Sequence, residues 1–125
     1  MTLILFINCG NNDGNNKSKN KIFINSPVDW GQAVVDDTIR LTTVFHNLSS
    51  QDVQIHYVQT PCGCITAIPS SDFIKKNDSV FIDIKYKPMY SDLGYIEKNI
   101  FVYLKNGKEP AHFLIKGRVR NRTIQ

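Results

Sequence analysis

Apolar and polar residues alternate along most of the chain, and a hydrophobic period of two is the pattern of β-strands that bury one face. Ile39, Leu41 and Phe45 share one phase of the segment 38–46, and most of the residues between them are polar. The segment 79–86 repeats this pattern, with aliphatic residues in one phase and charged residues in the other. The spacing of an amphipathic helix is not found. The chain is therefore predicted to be all-β.

Turn sequences separate these strands at intervals of about 8–12 residues, as in a β-sandwich. Polar turns occupy residues 47–52 and 75–78, and residues 105–108 contain the Asn-Gly pair of a tight hairpin. This spacing predicts an immunoglobulin-like antiparallel β-sandwich of about seven strands. The sandwich would occupy residues 22–120, and residues 121–125 would form a C-terminal tail.

The inward phase of the strands also predicts a core. In the segment 53–57, the residues Val53, Ile55 and Tyr57 share that phase. The core residues expected from four separate strands are Ile39, Leu41, Phe45, Ile55, Ile82, Ile84, Ile100 and Val102.

The amino-terminal segment differs in composition from the rest of the chain. Residues 1–8 include the apolar run Met-Thr-Leu-Ile-Leu-Phe-Ile, and Cys9 is followed by an Asn-, Gly- and Lys-rich stretch over 10–20. An apolar block, a cysteine and a polar connection are typical of an export signal, a lipidation site and a tether. We therefore predict that 1–8 is a truncated lipoprotein signal remnant, that Cys9 is acylated, and that 9–21 is a flexible, disordered tether.

The match to the lipoprotein pattern is imperfect. Leu5 lies four positions before Cys9 rather than three, and Phe6 lies where Leu is usual. The alternative is a buried first strand followed by a loop. A tether of this length has a root-mean-square reach of about 20 Å. The expected location is the cell envelope, facing the periplasm or the cell surface, with the membrane bound through the lipid and an envelope protein as partner.

The charge of the chain predicts no nucleic-acid partner. The formal net charge is +4, and its only dense basic part is the run 116–122 near the end. Arg118, Arg120 and Arg122 alternate in that run, which is typical of the solvent face of a last strand.

Cys62 and Cys64, in the sequence Pro-Cys-Gly-Cys, are the only candidates for chemistry in the body of the chain. Side chains at i and i+2 of an extended segment point to the same face, and Gly63 lets the backbone bend, so both sulfurs can reach one object. Three outcomes stay open: a disulfide, a shared soft metal ion, or two inert thiols. A disulfide here would close a very small loop and would be easily reduced.

A metal site would need more ligands than these two thiols. Two thiolates suit monovalent copper, with Met89 or a histidine completing the site. Structural zinc needs four protein ligands, and His46, His56 and His112 show no close pairing in the sequence. The identity of any metal is left open and no cofactor is predicted. Catalysis by a Cys-His pair would need a second motif that the sequence lacks, so no catalytic residue and no enzyme activity are predicted.

Several local features occur in a fixed order along residues 28–119. They are Trp30-Gly31, Phe45-His46-Asn47, Cys62-Gly63-Cys64, Ile84-Lys85-Tyr86, Gly94-Tyr95 and the run from Ile115 to Val119. This order resembles the bacterial family called domain of unknown function 1573. Its pattern is an aromatic-Gly near the start, Phe-x-Asn-x-Gly, Ser-Cys-Gly-Cys-Thr and a closing Gly-x-Val, of which Cys-Gly-Cys is the most specific element.

The chain departs from the family pattern in three turns. Pro61 replaces Ser, Ile65-Thr66 replaces an immediate Thr, and Leu48-Ser49 replaces Gly. The resemblance implies an exported, often lipid-anchored immunoglobulin-like domain and implies no activity. Two hypotheses of function follow. The first is a non-catalytic binding or structural module tethered to a membrane, and the alternative is a thiol redox or copper-handling protein that acts through Cys62 and Cys64.

Overall fold

The computed structural model describes residues 21–105, 107 and 109–123, which form nine β-strands and one short 3-10 helix. The helix spans Tyr90–Asp92, between β7 and β8. The predicted signal remnant, Cys9 and nearly all of the tether lie outside the described residues. The strands are β1 (Ile22–Ile24), β2 (Val28–Val34), β3 (Ile39–Asn47), β4 (Val53–Gln59), β5 (Ile65–Pro69), β6 (Phe73–Ile74), β7 (Ser79–Tyr86), β8 (Gly94–Leu104) and β9 (Ala111–Arg120).

Two sheets pack face to face around one core. The first sheet has the strand order β1-β3-β7-β5, and the second has the order β2-β9-β8-β4-β6. The immunoglobulin-like β-sandwich is therefore confirmed. None of the described residues belongs to a helix that is long and apolar enough to cross a bilayer.

The strand count and one strand direction differ from the sequence prediction. Two of the nine strands, β1 and β6, are only three and two residues long, so they are too short to show alternation. β2 pairs with β9 in parallel, whereas every other pair of strands is antiparallel. Alternation shows which face of a strand is buried, but it carries no information about the direction of the neighbouring strand.

The predicted core is confirmed. Six of the eight predicted residues are buried, and the other two, Ile39 and Leu41, are partly buried and pack against them. The cluster also contains residues beyond the predicted set, including Ile65 and Ile74 from short strands and Phe113 and Ile115 from β9.

The predicted inward position of Tyr57 is wrong. Ile55 pairs with Leu104 and Tyr57 pairs with the next residue, Tyr103, so β4 carries an extra residue between them. A bulge of this kind reverses the phase of the residues that follow it. Tyr57 is consequently exposed, and its ring stacks on Tyr103 with 4.6 Å between the centroids.

The loops gather at two ends of the sandwich. At one end Leu48 N donates a hydrogen bond to Lys21 O (2.8 Å), and we call this the amino-terminal end because the chain enters there. At the other end Tyr86, the last residue of β7, pairs with the first residue of β3 and the first residue of β5. We call this the disulfide end. Eight residues of β7 separate the two ends, which is about 23 Å at the rise of a strand.

A buried asparagine ties the loops together at the amino-terminal end. The Asn47 amide donates to Gln51 O (2.9 Å) and Ile74 O (3.1 Å), and its oxygen accepts from Ser49 N and from Ser49 Oγ. The amide is fully buried, and its hydrogen bonds join the turn after β3 to the end of β6. This accounts physically for Asn in the Phe-His-Asn element, because an amide supplies two N–H donors together with an acceptor oxygen.

Trp30 closes the disulfide end of the core. Its ring lies 5.0 Å from the ring of Tyr86 in the opposite sheet, and its Nε1 donates to Arg118 O at 3.1 Å. The indole lies directly on Gly117, where a Cβ would overlap the ring atoms. A glycine is therefore required at position 117 by close approach.

We predict that Gly117→Ala destabilises the fold by about 1–3 kcal/mol, because the methyl group displaces the Trp30 ring and its hydrogen bond to Arg118. Gly63→Ala is the matched control, since no heavy atom lies within 4 Å of its Cβ position and its φ is outside the left-handed region. Denaturant unfolding, followed by the fluorescence of the single tryptophan, measures both variants. Equal midpoints for the two variants would contradict this account of Trp30.

Candidate functional site

The Cys-Gly-Cys segment forms the turn by which the chain passes from β4 in the second sheet to β5 in the first. Cys62 and Cys64 are joined by a disulfide, with their Cα atoms 5.2 Å apart. Cys62 O accepts hydrogen bonds from Ile65 N (3.4 Å) and from Thr60 Oγ1 (3.1 Å). On the other side of the turn, Lys87 N donates to Cys64 O at 3.0 Å. Backbone hydrogen bonds therefore connect this turn to the end of β7.

The structure corrects two sequence predictions for this segment. The segment is a turn rather than an extended stretch, because alternate residues of a strand would be about 6.6 Å apart. Gly63 is exposed, has open space at its Cβ position and does not use the left-handed region. The sulfurs therefore meet because the chain turns, and this turn does not need glycine for steric reasons.

The two sulfurs lie at the border of the core. Cys62 and Cys64 are half-buried and pack against the buried cluster. His46 lies toward the amino-terminal end, where its Nδ1 is 3.0 Å from Ser79 Oγ, and it is half-buried. His56 and His112 are exposed on the second sheet. Among the described residues no group of three His, Cys, Asp or Glu side chains is arranged to hold a metal ion.

A buried carboxylate next to this turn organises the loop 87–93, and sequence reasoning missed it. Asp92 is 3% exposed, and its Oδ2 accepts from the Tyr86 hydroxyl (2.8 Å) and from Met89 N (3.1 Å). Its Oδ1 pairs with Lys98 Nζ at 3.0 Å, and the Lys98 side chain is 17% exposed. The sequence does contain a signal for this cluster. Lys98 falls on the inward phase of β8, between Ile96 and Ile100, and a charged group at such a position requires a buried partner.

The pKa values of this cluster follow from its geometry. Burial alone would raise the pKa of Asp92, but hydrogen bonds from Met89 N, Tyr86 and Lys98 and the Lys98 charge lower it overall. Burial raises the pKa of Tyr86, and the adjacent Asp92 carboxylate raises it further. In the stable arrangement Asp92 is therefore ionised. It accepts a hydrogen bond from the protonated Tyr86 hydroxyl and faces the charged Lys98 ammonium.

The basic residues near the carboxyl terminus lie where alternation predicts. Arg118 and Arg120 are exposed on β9, and Arg122 follows the strand. Arg122 Nη2 pairs with Asp37 Oδ1 at 2.9 Å and donates to Val35 O at 3.1 Å. These contacts fasten the segment after β9 to the turn between β2 and β3, also at the disulfide end.

Solved structures with this fold come from proteins of very different kinds. A protein of unknown function from Porphyromonas gingivalis W83 superposes with a TM-score of 0.67 and 16% identity, and the match covers 94% of this chain and 53% of that one. The human CEP192 ASH / PapD-like domain 7 gives a TM-score of 0.64 and 11% identity, covering 85% of this chain and 89% of that one. The secreted serine protease VesC from Vibrio cholerae gives a TM-score of 0.61 and 10% identity, and the match covers 86% of this chain and 25% of that one.

These likenesses show the fold alone. The chain spans about half the length of the Porphyromonas protein and a quarter of VesC. No curated protein matches the sequence.

We predict that Asp92→Asn destabilises the fold by about 3 kcal/mol or more, because it leaves the Lys98 ammonium without its buried counter-charge. Asp37→Asn is the matched control. It removes an exposed ion pair with Arg122 and should change the free energy of unfolding by about 1 kcal/mol or less. Denaturant midpoints at neutral pH measure both variants, and equal effects would contradict the role given to Asp92.

The same carboxylate also predicts a pH dependence. The folded pKa of Asp92 lies below its ordinary value of 3.8, so the stabilisation is present above pH 3.8 and is lost as the pH falls below it. Thermal midpoints of the native chain should therefore fall between about pH 5 and pH 2, and Asp92→Asn should reduce that fall. An identical slope in the variant would show that other groups cause the acid sensitivity.

The sequence profile of the family described as "Protein of unknown function (DUF1573)" matches residues 21–119. The match covers most of the chain, including β1, the Cys-Gly-Cys turn, the Asp92 loop and nearly all of β9. The chain therefore belongs to the DUF1573 family.

Proposed function

We propose that this chain is a non-catalytic binding module of the cell envelope, held at a membrane by a lipid on Cys9. The observation that carries the proposal is that the chain enters the sandwich at one end and that the Cys-Gly-Cys turn lies at the opposite end. Residue 21, which follows the polar stretch, is held beside Leu48 at the amino-terminal end. The Cys-Gly-Cys turn and the loop 87–93 lie at the disulfide end, where Lys87 N bonds to Cys64 O. A lipid attached before residue 21 would therefore be joined to the sandwich at the end opposite the disulfide end.

The polar stretch 10–20 supports a tether. It contains five Asn, two Gly and two Lys among its residues and no large apolar side chain, so it has little to bury against a folded domain. Its reach of about 20 Å would keep the sandwich close to the bilayer. Location in the envelope agrees with the disulfide, because exported proteins keep disulfides and cytosolic proteins are kept reduced.

A binding role agrees with the surface and with the fold. Of the ten large hydrophobic side chains that are exposed among the described residues, four lie within residues 89–95, and clustered exposed hydrophobic side chains are typical of an interaction surface. The fold supports many functions, so it does not name the partner. The polar clusters that the structure does contain, around Asn47 and Asp92, have hydrogen bonds that hold loops in place, and those bonds already occupy their polar atoms.

We predict that Cys9→Ser releases the chain from the membrane, because the lipid is the proposed anchor. The chain is expressed in its own host, membranes and soluble fraction are separated, and incorporation of labelled palmitate into the chain is measured. Cys62→Ser with Cys64→Ser is the matched control, since it removes the other two cysteines and should leave both labelling and membrane association unchanged. Membrane association of Cys9→Ser equal to that of the native chain would refute the anchor.

A second candidate function is thiol redox exchange through the disulfide. The favouring observation is that Cys62 and Cys64 are bonded across a single residue, in a turn whose middle residue is exposed. A disulfide that closes so short a loop restricts the unfolded chain little, so its reduction removes little stability. Copper handling would require the same two sulfurs as thiolates, and thus the reduced form.

We predict that replacing both cysteines with serine leaves the sandwich folded and changes the free energy of unfolding by less than about 2 kcal/mol. Denaturant midpoints and the far-ultraviolet spectrum measure this. The redox candidate is tested by equilibrating the native domain with glutathione buffers and counting alkylated thiols by mass. A pair that is half-reduced between about −180 and −300 mV supports exchange, and a pair that stays oxidised throughout this range is structural.

A further inference from the structure

Exposed hydrophobic side chains are concentrated in one short segment at the disulfide end. Of the ten large ones that are exposed among the described residues, four lie within residues 89–95: Met89, Tyr90, Leu93 and Tyr95. The other six are distributed over β1, β4, β5, β6, β7 and the 48–52 turn. We call the four side chains, together with the neighbouring Lys87, Arg118 and Arg120, the distal surface.

The backbone beneath the distal surface is held by buried hydrogen bonds. Asp92 accepts from the Tyr86 hydroxyl and from Met89 N, and it pairs with Lys98 of β8. Asp36 N donates to Pro88 O at 2.9 Å, which fixes the start of the loop to the neighbouring turn. A loop fixed in this way keeps its hydrophobic side chains in solvent instead of folding them inward. Such preorganisation lowers the entropy that a binding surface loses when a partner docks.

The charges around the distal surface are mainly positive. Tyr95 lies directly opposite Arg118 across the β8–β9 pair, and Arg120 lies two residues further along the same exposed face. Lys87 is exposed at the start of the loop. None of these three cations forms an ion pair within the part of the chain that the structure describes. The exposed acids nearby are Asp36 and Glu97, which lies two residues from Tyr95 on the same exposed face, whereas the carboxylate of Asp37 pairs with Arg122.

We propose that the distal surface binds an acidic segment of another protein, in which Asp or Glu residues flank an aromatic or aliphatic anchor. Tyr, Met and Arg are the residue types enriched in the centres of protein interfaces. The acidic side chains of the partner would pair with Arg118, Arg120 and Lys87. The anchor would pack on the side chains of Tyr90 and Leu93. This inference rests on the proposed binding function and adds the site and the chemistry of the partner.

Three other occupants fit less well. A second copy of the chain would bring like charges together, because the same three cations would face each other. Nucleic acid is recognised by longer basic tracts, whereas Met89 and Leu93 offer aliphatic surface that suits side chains better than phosphates. A membrane surface is disfavoured by topology, because the proposed tether enters about 23 Å away at the opposite end.

The test selects ligands from a display library of short random peptides, with the full chain as bait. The enriched peptides are expected to be rich in Asp and Glu around Tyr, Phe, Trp or Leu. Their affinity is measured by titration against four variants. Tyr90→Ser and Arg118→Glu should each weaken binding by about tenfold or more. Phe81→Ser and Lys75→Glu are the matched controls. Phe81, on β7, is 57% exposed against 60% for Tyr90, and Lys75 is exposed in the 75–78 turn at the amino-terminal end, away from the distal surface.

Several results would overturn the proposal. If the enriched peptides contain no acidic residues, or if no peptide is enriched, the proposal of an acidic partner is wrong. Acidic peptides that Phe81→Ser weakens and Tyr90→Ser does not would move the binding site to the first sheet and leave the binding function standing. A single-stranded oligonucleotide or an anionic vesicle that binds more tightly than the peptides, and is weakened by Tyr90→Ser, would assign the surface to that partner instead. Membrane release of Cys9→Ser is independent of all these results, so the anchor and the distal surface fail separately.

Discussion

The Tyr86 side chain connects the two sheets, the Cys-Gly-Cys turn and the loop 87–93. Its ring is fully buried against Trp30 of the opposite sheet, and its hydroxyl donates to Asp92. Its backbone lies between the first residues of β3 and β5, and β5 begins directly after Cys64. A phenol suits this position because the ring supplies apolar area to the core while the hydroxyl reaches the polar end. Displacement of this one side chain would therefore disturb both loops at once.

The buried Asp92–Lys98 ion pair is better explained by the conformation that it gives the loop 87–93 than by a contribution to stability. Removing a carboxylate and an ammonium from water has a large unfavourable free energy, which their attraction offsets only with good geometry and further hydrogen bonds. Asp92 meets that condition, because its oxygens accept from a hydroxyl, a backbone amide and an ammonium. An apolar cluster at the same place could contribute equal stability, but it would draw the nearby Met89 and Leu93 inward. The ion pair fixes the loop and leaves those side chains in solvent.

Much of the fold could be predicted from the sequence because burial on one face imposes a period of two. Phe45, Ile82, Ile84, Ile100 and Val102 all lie where alternation places them. The direction of β2 and the phase of Tyr57 could not be predicted, since both depend on which strand pairs alongside. The candidate site was harder to predict. The cysteine pair is visible as a motif, but Asp92 lies in an irregular loop, and only the inward phase of Lys98 indicates that a carboxylate is buried near it.

The loops at the two ends of the sandwich are held by different polar groups, a neutral amide at one end and an ionised carboxylate at the other. At the amino-terminal end the neutral Asn47 amide holds the turn after β3 to the end of β6, and its hydrogen bonds keep the same strength across the range of pH. At the disulfide end an ionised carboxylate holds the loop, so the interactions that hold this loop weaken when acid protonates Asp92. The part of the molecule to which we assign binding is thus also the part whose order depends on its surroundings.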